Sequence, residues 1–100
     1  MQTSDSWHEV CSILVPPNKV FSLTKMTVSA KDDVEVVIAW GDDVVSIVYY
    51  VTGGVPFTDW FPLGWYPMKG DGSKRVKLLA RIPEGGISTK CYGELVGEIR

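Results

Sequence analysis

The residues that could perform chemistry in this chain are few and lie near its beginning. His8 is the one histidine, and Glu9 and Cys11 follow it closely. A cysteine nucleophile needs a histidine base within hydrogen-bond reach, oriented by a third group. In an extended strand residues 8 and 11 project to opposite faces, which would separate the imidazole from the thiol. No G-x-S-x-G turn is present either. The sequence therefore predicts no catalytic residues and a non-enzymatic protein.

Two acidic pairs, Asp32 with Asp33 and Asp42 with Asp43, are the candidates for holding a cation. Calcium takes six or more oxygen ligands, which usually come from several loops. Each pair lies in a short polar turn, where aspartate is common because it caps its own backbone. We therefore expect solvated turn residues, with no metal and no cofactor.

Charge and hydropathy exclude two classes of partner. The formal net charge is −2, whereas a nucleic-acid binder carries a basic patch or stripe. The least charged stretch, residues 44–58, is broken by glycine and proline, and a membrane-spanning helix needs about 20 apolar residues. Residues 1–8 are polar and lack the pattern of a signal peptide. We expect synthesis in the cytoplasm, with Cys11 and Cys91 reduced, no nucleic acid and no membrane.

The segment FTDWFPLGWYPM at residues 57–68 concentrates aromatic side chains in a proline-rich loop. Three interpretations remain open: a lid on the open end of the core, a protein-contact surface, and a sugar-stacking platform on Trp60, Trp65 or Tyr66. The inner faces of the predicted strands already fill a core, so some of these side chains should stay exposed. The candidate protein-contact residues are Trp60, Leu63, Trp65, Tyr66 and Met68. We expect Trp65 and Tyr66 at an exposed turn tip.

The elements that would position these residues are strands. Valine and isoleucine make 20 of the 100 residues and alanine only three, a mixture that suits pleated surfaces. Turn clusters recur about every 8–12 residues, as in a sandwich or barrel. The predicted strands cover residues 7–14, 20–29, 34–40, 44–52, 74–82 and 87–100, with a short one near 57–61. The prediction is an all-β antiparallel sandwich of seven to eight strands, one domain over residues 7–100, preceded by a flexible arm at residues 1–6.

Alternation within these strands predicts which side chains face inward. Ile47 and Leu78 lie mid-strand on apolar faces and should belong to the main core. The inward row of the second strand changes phase near Thr24, which predicts a bulge there. The inner row of the closing strand is interrupted by Gly93 and Gly97, where bulky neighbours should fill the gaps. The inner row of that strand comprises Ile87, Thr89, Cys91, Leu95 and Ile99.

The order of turns and strands from residue 15 onward resembles a small jelly-roll-like β-sandwich of tailed-bacteriophage structural proteins, of the capsid decoration (cement) or head-fibre type. The matching segments are PNKVFSLT at 17–24, residues 44–51 with the following TGGVP, WFPL at 60–63 and CYGELVG at 91–97. The resemblance implies a protein that docks on a capsid lattice, commonly as a trimer. It carries over no functional residues.

The expected function is therefore that of a non-enzymatic virion structural protein bound to the major capsid protein or to other virion proteins. The expected location is the virion, and a homo-oligomer is expected, with a trimer favoured. The alternative from another class is a carbohydrate- or receptor-binding β-sandwich module that uses the aromatic loop. A small host-encoded adaptor is a third possibility.

Overall fold

The computed structural model describes residues 6–100, and every regular element in that range is a strand. The predicted arm at residues 1–6 lies outside the described residues except for Ser6. The strands are β1 His8–Leu14, β2 Val20–Ala30, β3 Val34–Trp40, β4 Asp43–Val44, β5 Tyr49–Val51, β6 Phe57–Trp60, β7 Met68–Lys69, β8 Arg75–Arg81 and β9 Cys91–Ile99. Over residues 6–100 there is no helix long and apolar enough to cross a membrane.

The strands form two antiparallel sheets that share one core. In the first sheet the order is β1-β8-β3, and β4 and β5 lie one after the other along the remaining side of β3. In the second sheet β9 pairs with one side of β2, while β6 and β7 share the other side. Side chains from both sheets form a single buried cluster. The predicted all-β antiparallel sandwich is confirmed, with nine strands, some very short, where seven to eight were expected.

Four of the strands were predicted to within about a residue of their ends. β3 covers the predicted range, β1 and β2 each differ from prediction by one residue at one end, and β8 is shorter by one residue at each end. Leu78 in β8 is fully buried, as predicted. The short strand expected near residues 57–61 is β6. Alternation succeeds for β2, β3 and β8 because each keeps one face in the core, whereas β1 contains only half-buried and exposed residues.

The predicted bulge near Thr24 is confirmed. The register of β2 against β9 shifts between Leu23 and Lys25. Phe21 and Leu23 are buried before the shift, and the buried positions resume at Met26 after it. The carbonyl oxygen of Thr24 then accepts a hydrogen bond from the backbone N–H of Phe61 at 2.8 Å. The bulge thus keeps the core face continuous and provides an anchor for the chain after β6.

The predicted single strand over residues 44–52 was wrong. It is interrupted between β4 and β5. Val44 pairs with Ala39 and Tyr49 pairs with Val36, so the four residues 45–48 lie opposite only the two residues 37–38 of β3. The interruption turns Ile47 outward, and its side chain is 71% exposed. Ile47 is therefore not a core residue. The segment also lies at the edge of the first sheet.

The closing strand is shorter than predicted. β9 begins at Cys91, and Ile87 lies before it, 66% exposed, while Ile99 at its end is also exposed. Thr89, Cys91 and Leu95 are buried as predicted.

The two glycines in the inner row of β9 lie where neighbours fill the space. A Cβ on Gly93 would overlap the side chain of Leu78, and one on Gly97 would lie 2.5 Å from the Phe21 ring. Gly93 thus makes room for Leu78 of the opposite sheet, and Gly97 makes room for the backbone and the Phe21 ring of the neighbouring strand β2.

Candidate protein-contact surface

The residues with catalytic potential lie in β1, beside a bulge between Glu9 and Cys11. His8 pairs with Ala80 and Cys11 with Leu78, so both side chains project from the same face of β1. The expectation that they project to opposite faces was wrong, because the extra residue of the bulge changes the alternation. Burial raises the pKa of the Cys11 thiol. A nucleophilic cysteine has the opposite shift.

Cys91 lies across the sandwich from β1, at the start of β9. Its side chain is buried, Cys11 is half-buried, and both thiols are free in the structure. Burial raises the pKa of the Cys91 thiol as well. Both cysteines therefore serve as small apolar core residues, and their reduction in the native protein stays a prediction.

The aspartates of the polar turns form contacts within the fold. Asp33 accepts hydrogen bonds from the Gly53 backbone N–H at 2.7 Å and from the Tyr50 hydroxyl at 2.5 Å. These bonds hold the pKa of Asp33 below its usual value. Asp42 lies 3.9 Å from the Lys77 ammonium. Among residues 6–100, no three His, Cys, Asp or Glu side chains are arranged to hold a metal ion.

The aromatic loop is attached to β2 at both of its ends. β6 pairs with residues 25–28 of β2, and β7 pairs with Val20 and Phe21. Between them the Trp65 N–H donates to the Pro62 carbonyl at 3.0 Å, which closes a turn. Gly64 has a φ of 80° there, as the third residue of a type II turn requires. The loop therefore runs along one side of β2 in a defined conformation.

One group of loop side chains points into the protein. Phe61 is buried and Met68 is completely buried. Trp65 is half-buried, packs against the core, and its ring centroid lies 4.6 Å from that of Phe61. Met68 therefore does not belong to a contact surface, and Trp65 does not lie at an exposed tip as expected. These three side chains form the lid that the sequence left open as one interpretation.

The other loop side chains point away from the protein. Trp60 is 67% exposed and Leu63 is 90% exposed. Tyr66 is also exposed, and its φ of 37° lies in the left-handed region that a bulky residue rarely adopts.

Cross-strand register extends this exposed group onto the sheet. Trp60 and Val96 flank Lys25 of β2 in one row, and the Lys25 ammonium lies 5.3 Å from the Trp60 ring centroid. Leu63 borders a depression of about 160 Å³ that is also lined by Glu98 and Arg100. We call Trp60, Leu63 and Val96, with the surrounding charged residues, the Trp60 surface. Sequence reasoning missed Val96, because only the register of β9 on β2 shows that it neighbours Trp60.

A second exposed apolar group lies on the opposite sheet. Val44, Ile47 and Val48 project from the interrupted edge beside β3, with exposures of 52%, 71% and 48%. We call these three residues the edge ridge. Its position could be recognised only after the break between β4 and β5 was known.

Comparisons of this chain with known protein families, with curated proteins and with solved structures found no match.

Proposed function

We propose that this chain is a non-enzymatic structural protein that attaches to another protein through the Trp60 surface. The observation that carries the proposal is the exposure of Trp60 and Leu63 on a loop held at both ends. Contiguous exposed apolar side chains mark interaction sites, and tryptophan is enriched among the residues that dominate binding energy. A loop fixed in advance loses little conformational entropy on binding.

The rim of the Trp60 surface supports a protein partner. Lys25 lies between Trp60 and Val96, and an ion pair of Glu98 with Arg100 at 2.6 Å borders the Leu63 depression. An apolar centre within a polar rim of both charge signs is the usual composition of a protein interface. These rim residues are two cations and one anion, which is less than the basic patch or stripe that nucleic-acid binding would require.

The specific form of the proposal is capsid decoration. The resemblance to phage decoration and head-fibre domains supplies the virion as location and the major capsid protein as partner. On a lattice, a symmetric oligomer such as a trimer would present three copies of the Trp60 surface together. Such multivalent attachment raises avidity without any new contact. Synthesis in the host cytoplasm belongs to the same proposal.

The test begins with the genome that encodes the chain, which should also encode a major capsid protein. Capsids assembled from that protein are mixed with the chain and sedimented, and the bound fraction is measured against chain concentration. The double variant Trp60→Ala with Leu63→Ser should bind at least about tenfold more weakly, equivalent to about 1.4 kcal/mol. Ile87→Ala is the matched control, since Ile87 is 66% exposed on the turn before β9.

Two results would contradict the proposal. Equal binding of the double variant and the parent would place the contact elsewhere. A genome without capsid genes would remove the virion as location. Unchanged thermal unfolding of the double variant is required before its binding is interpreted, and we expect it because both side chains are largely exposed.

A further inference from the structure

A second feature of the second sheet lies around Tyr92, away from the Trp60 surface. Tyr92 is 60% exposed on β9, and its cross-strand partner on β2 is Ser29. The next row pairs Glu94 with Thr27. The residues beside Tyr92 on β2 are therefore small, so the aromatic ring projects above its surroundings.

Three depressions surround this ring, and Tyr92 lines all of them. The largest has a volume of about 480 Å³, within the range of about 300–1,000 Å³ for ligand sites, and the other two measure about 270 and 250 Å³. Lys31 lines two of them, and Ser29 lines two. The three depressions therefore adjoin around a single tyrosine, and we call them together the Tyr92 groove.

The charges of the Tyr92 groove balance. Lys31 and Lys90 supply two positive charges, and Asp32 and Glu94 supply two negative ones. An anionic ligand would lie beside carboxylates, and a single-stranded nucleic acid requires a positively charged groove as well as an aromatic platform. The hydroxyls of Thr27 and Ser29 lie along the groove. Donors and acceptors in equal measure suit a neutral ligand that carries both.

The location of the groove on the face of the sheet argues against a peptide. Extended peptides bind by adding a strand to a free sheet edge, where main-chain groups are unpaired. β9 is an edge strand, and among residues 6–100 its other side pairs with no strand, but the groove residues Thr27 and Ser29 lie on its paired side, opposite Glu94 and Tyr92. Recognition in this groove therefore depends on side chains and on the aromatic ring.

We propose that the Tyr92 groove binds a neutral oligosaccharide. The exposed tyrosine ring provides an apolar plane on which the C–H face of a sugar ring stacks. Lys31 donates to sugar oxygens, Glu94 accepts from sugar hydroxyls, and the serine and threonine hydroxyls do either. This site is separate from the Trp60 surface, because Ser29 and Lys25 are four residues apart on β2, about 13 Å along the strand.

The test is a titration of isotope-labelled protein, followed by amide NMR, with four sugar probes and with inorganic phosphate and decathymidylate as anionic controls. The neutral probes are maltohexaose, cellotetraose and tetra-N-acetylchitotetraose, and the charged probe is tetragalacturonate. At least one neutral probe should shift the amide signals of Lys31, Tyr92 and Gly93.

Tyr92→Ala should weaken that binding by about tenfold or more, in the range found for removing an aromatic stacking partner. Tyr92→Phe should bind within about threefold of the parent, since it keeps the stacking ring. Trp60→Ala is the control on the same sheet face and should bind as the parent does.

Several outcomes would overturn the proposal. One is the absence of a shift at Tyr92 with every neutral probe at millimolar concentration. Another is binding of tetragalacturonate alone, or of inorganic phosphate or decathymidylate, because each would make the groove an anion site. Loss of sugar binding in Trp60→Ala with retention in Tyr92→Ala would place the sugar on the aromatic loop instead. None of these results depends on whether the Trp60 surface binds capsids.

Discussion

The two sheets are built alike, and the comparison of their interrupted sides explains both exposed apolar surfaces. In each sheet the central strand, β3 or β2, pairs with one long strand on one side and with two short strands on the other. In the first sheet residues 45–48 separate the short strands, and in the second sheet residues 61–67 do so. The two segments differ in what fills the gap. That difference decides which side chains reach the solvent.

Polar groups hold the interrupted side of the first sheet. The Ile38 N–H donates to the Ser46 hydroxyl at 2.8 Å, in place of the carbonyl oxygen of a regular strand. The Val45 N–H donates to the Ile38 carbonyl at 2.9 Å. Asp33 then binds both Gly53 and Tyr50 at the other end of β5. Because hydrogen bonds hold this segment in place, the apolar side chains of the edge ridge remain outside.

Apolar groups hold the interrupted side of the second sheet. Phe61, Trp65 and Met68 pack inward from the loop. The inward aromatic pair leaves Trp60 and Leu63, on either side of Phe61 in the sequence, pointing outward. The same strand arrangement thus leaves an aliphatic ridge exposed on one sheet and an aromatic surface exposed on the other.

The largest expected effect is the difference in unfolding free energy between a variant at a buried residue of the loop and one at an exposed residue of the edge ridge. Met68→Ala should lower the free energy of unfolding by about 2–5 kcal/mol, because it removes a fully buried side chain. Ile47→Ala should change it by less than about 0.5 kcal/mol. Urea denaturation of both variants measures the difference. Equal losses would mean that Ile47 is packed in solution and that the edge is not interrupted.

Alanine substitution of the two tryptophans of the loop should affect stability very differently. Trp65→Ala removes a ring packed on Phe61 and on the core, and should cost about 1–3 kcal/mol. Trp60→Ala should leave the melting temperature nearly unchanged, since Trp60 is mostly exposed. Thermal unfolding followed by circular dichroism compares them directly. If Trp60→Ala were the more damaging change, the inward and outward sides of the loop would be reversed.

The hydroxyl of Ser46 gives a test of the polar anchor. Ser46→Ala leaves the N–H of buried Ile38 without its acceptor, and an unsatisfied buried donor costs about 1–3 kcal/mol. Ser46→Thr keeps a hydroxyl at this position and should recover most of the loss. Amide hydrogen exchange at Ile38 should accelerate in the alanine variant alone. Similar stability of the alanine variant and the parent would mean that the hydroxyl is not needed to hold the interrupted edge.

Regular alternation made much of this fold predictable. β2, β3 and β8 could be placed from their sequences because one face of each stays in the core throughout. The same reasoning failed for residues 44–51, because the sequence VVSIVYYV is apolar on both faces and alternation there does not show which side chains face the core. No alternation rule can locate two extra residues in such a run. The deciding contact, Ser46 with Ile38, joins residues of different strands.

The candidate site could be predicted only in part. The crowding of aromatic residues correctly indicated that some would be exposed, and Trp60, Leu63 and Tyr66 are. Which of them pack inward depends on the Phe61 and Trp65 ring contact, which the sequence does not encode locally. Val96 and Tyr92 became visible as surface features only through the register of β9 on β2.

As the pH falls, the interrupted side of the first sheet, around β5, should lose stability before the aromatic loop of the second sheet does. Hydrogen bonds from the Gly53 N–H and the Tyr50 hydroxyl lower the pKa of Asp33. A carboxyl group with a lowered folded-state pKa contributes stability above its unfolded-state pKa of about 3.9. That contribution is lost as the pH falls through the folded-state pKa. The effect is small because the carboxyl group is exposed to solvent.

Amide NMR between pH 5 and pH 2 measures this loosening. Gly53 and Tyr50 should lose protection as Asp33 is protonated, while Phe61 and Trp65 should not, because apolar contacts hold them. Asp33→Asn should remove the pH dependence at Gly53. Loss of protection at both segments at the same pH would show that they unfold together rather than separately.

The smallest expected effect concerns the backbone of Tyr66, where the loop returns toward β7. Its φ of 37° lies near the left-handed region, which costs an ordinary residue about 1–2 kcal/mol and which asparagine tolerates better. Tyr66→Asn should therefore leave stability unchanged or raise it by up to about 1 kcal/mol, offset by loss of the ring that lies 6.0 Å from Trp65. Tyr66→Val removes the same ring but adds a β-branched side chain at a positive φ, so it should be destabilising.

Urea denaturation of these two variants separates the effect of backbone strain from that of ring packing. If both variants lose equal stability, ring packing rather than strain governs this position. If their stabilities differ as expected while capsid binding falls equally in both, the Tyr66 ring belongs with the Trp60 surface.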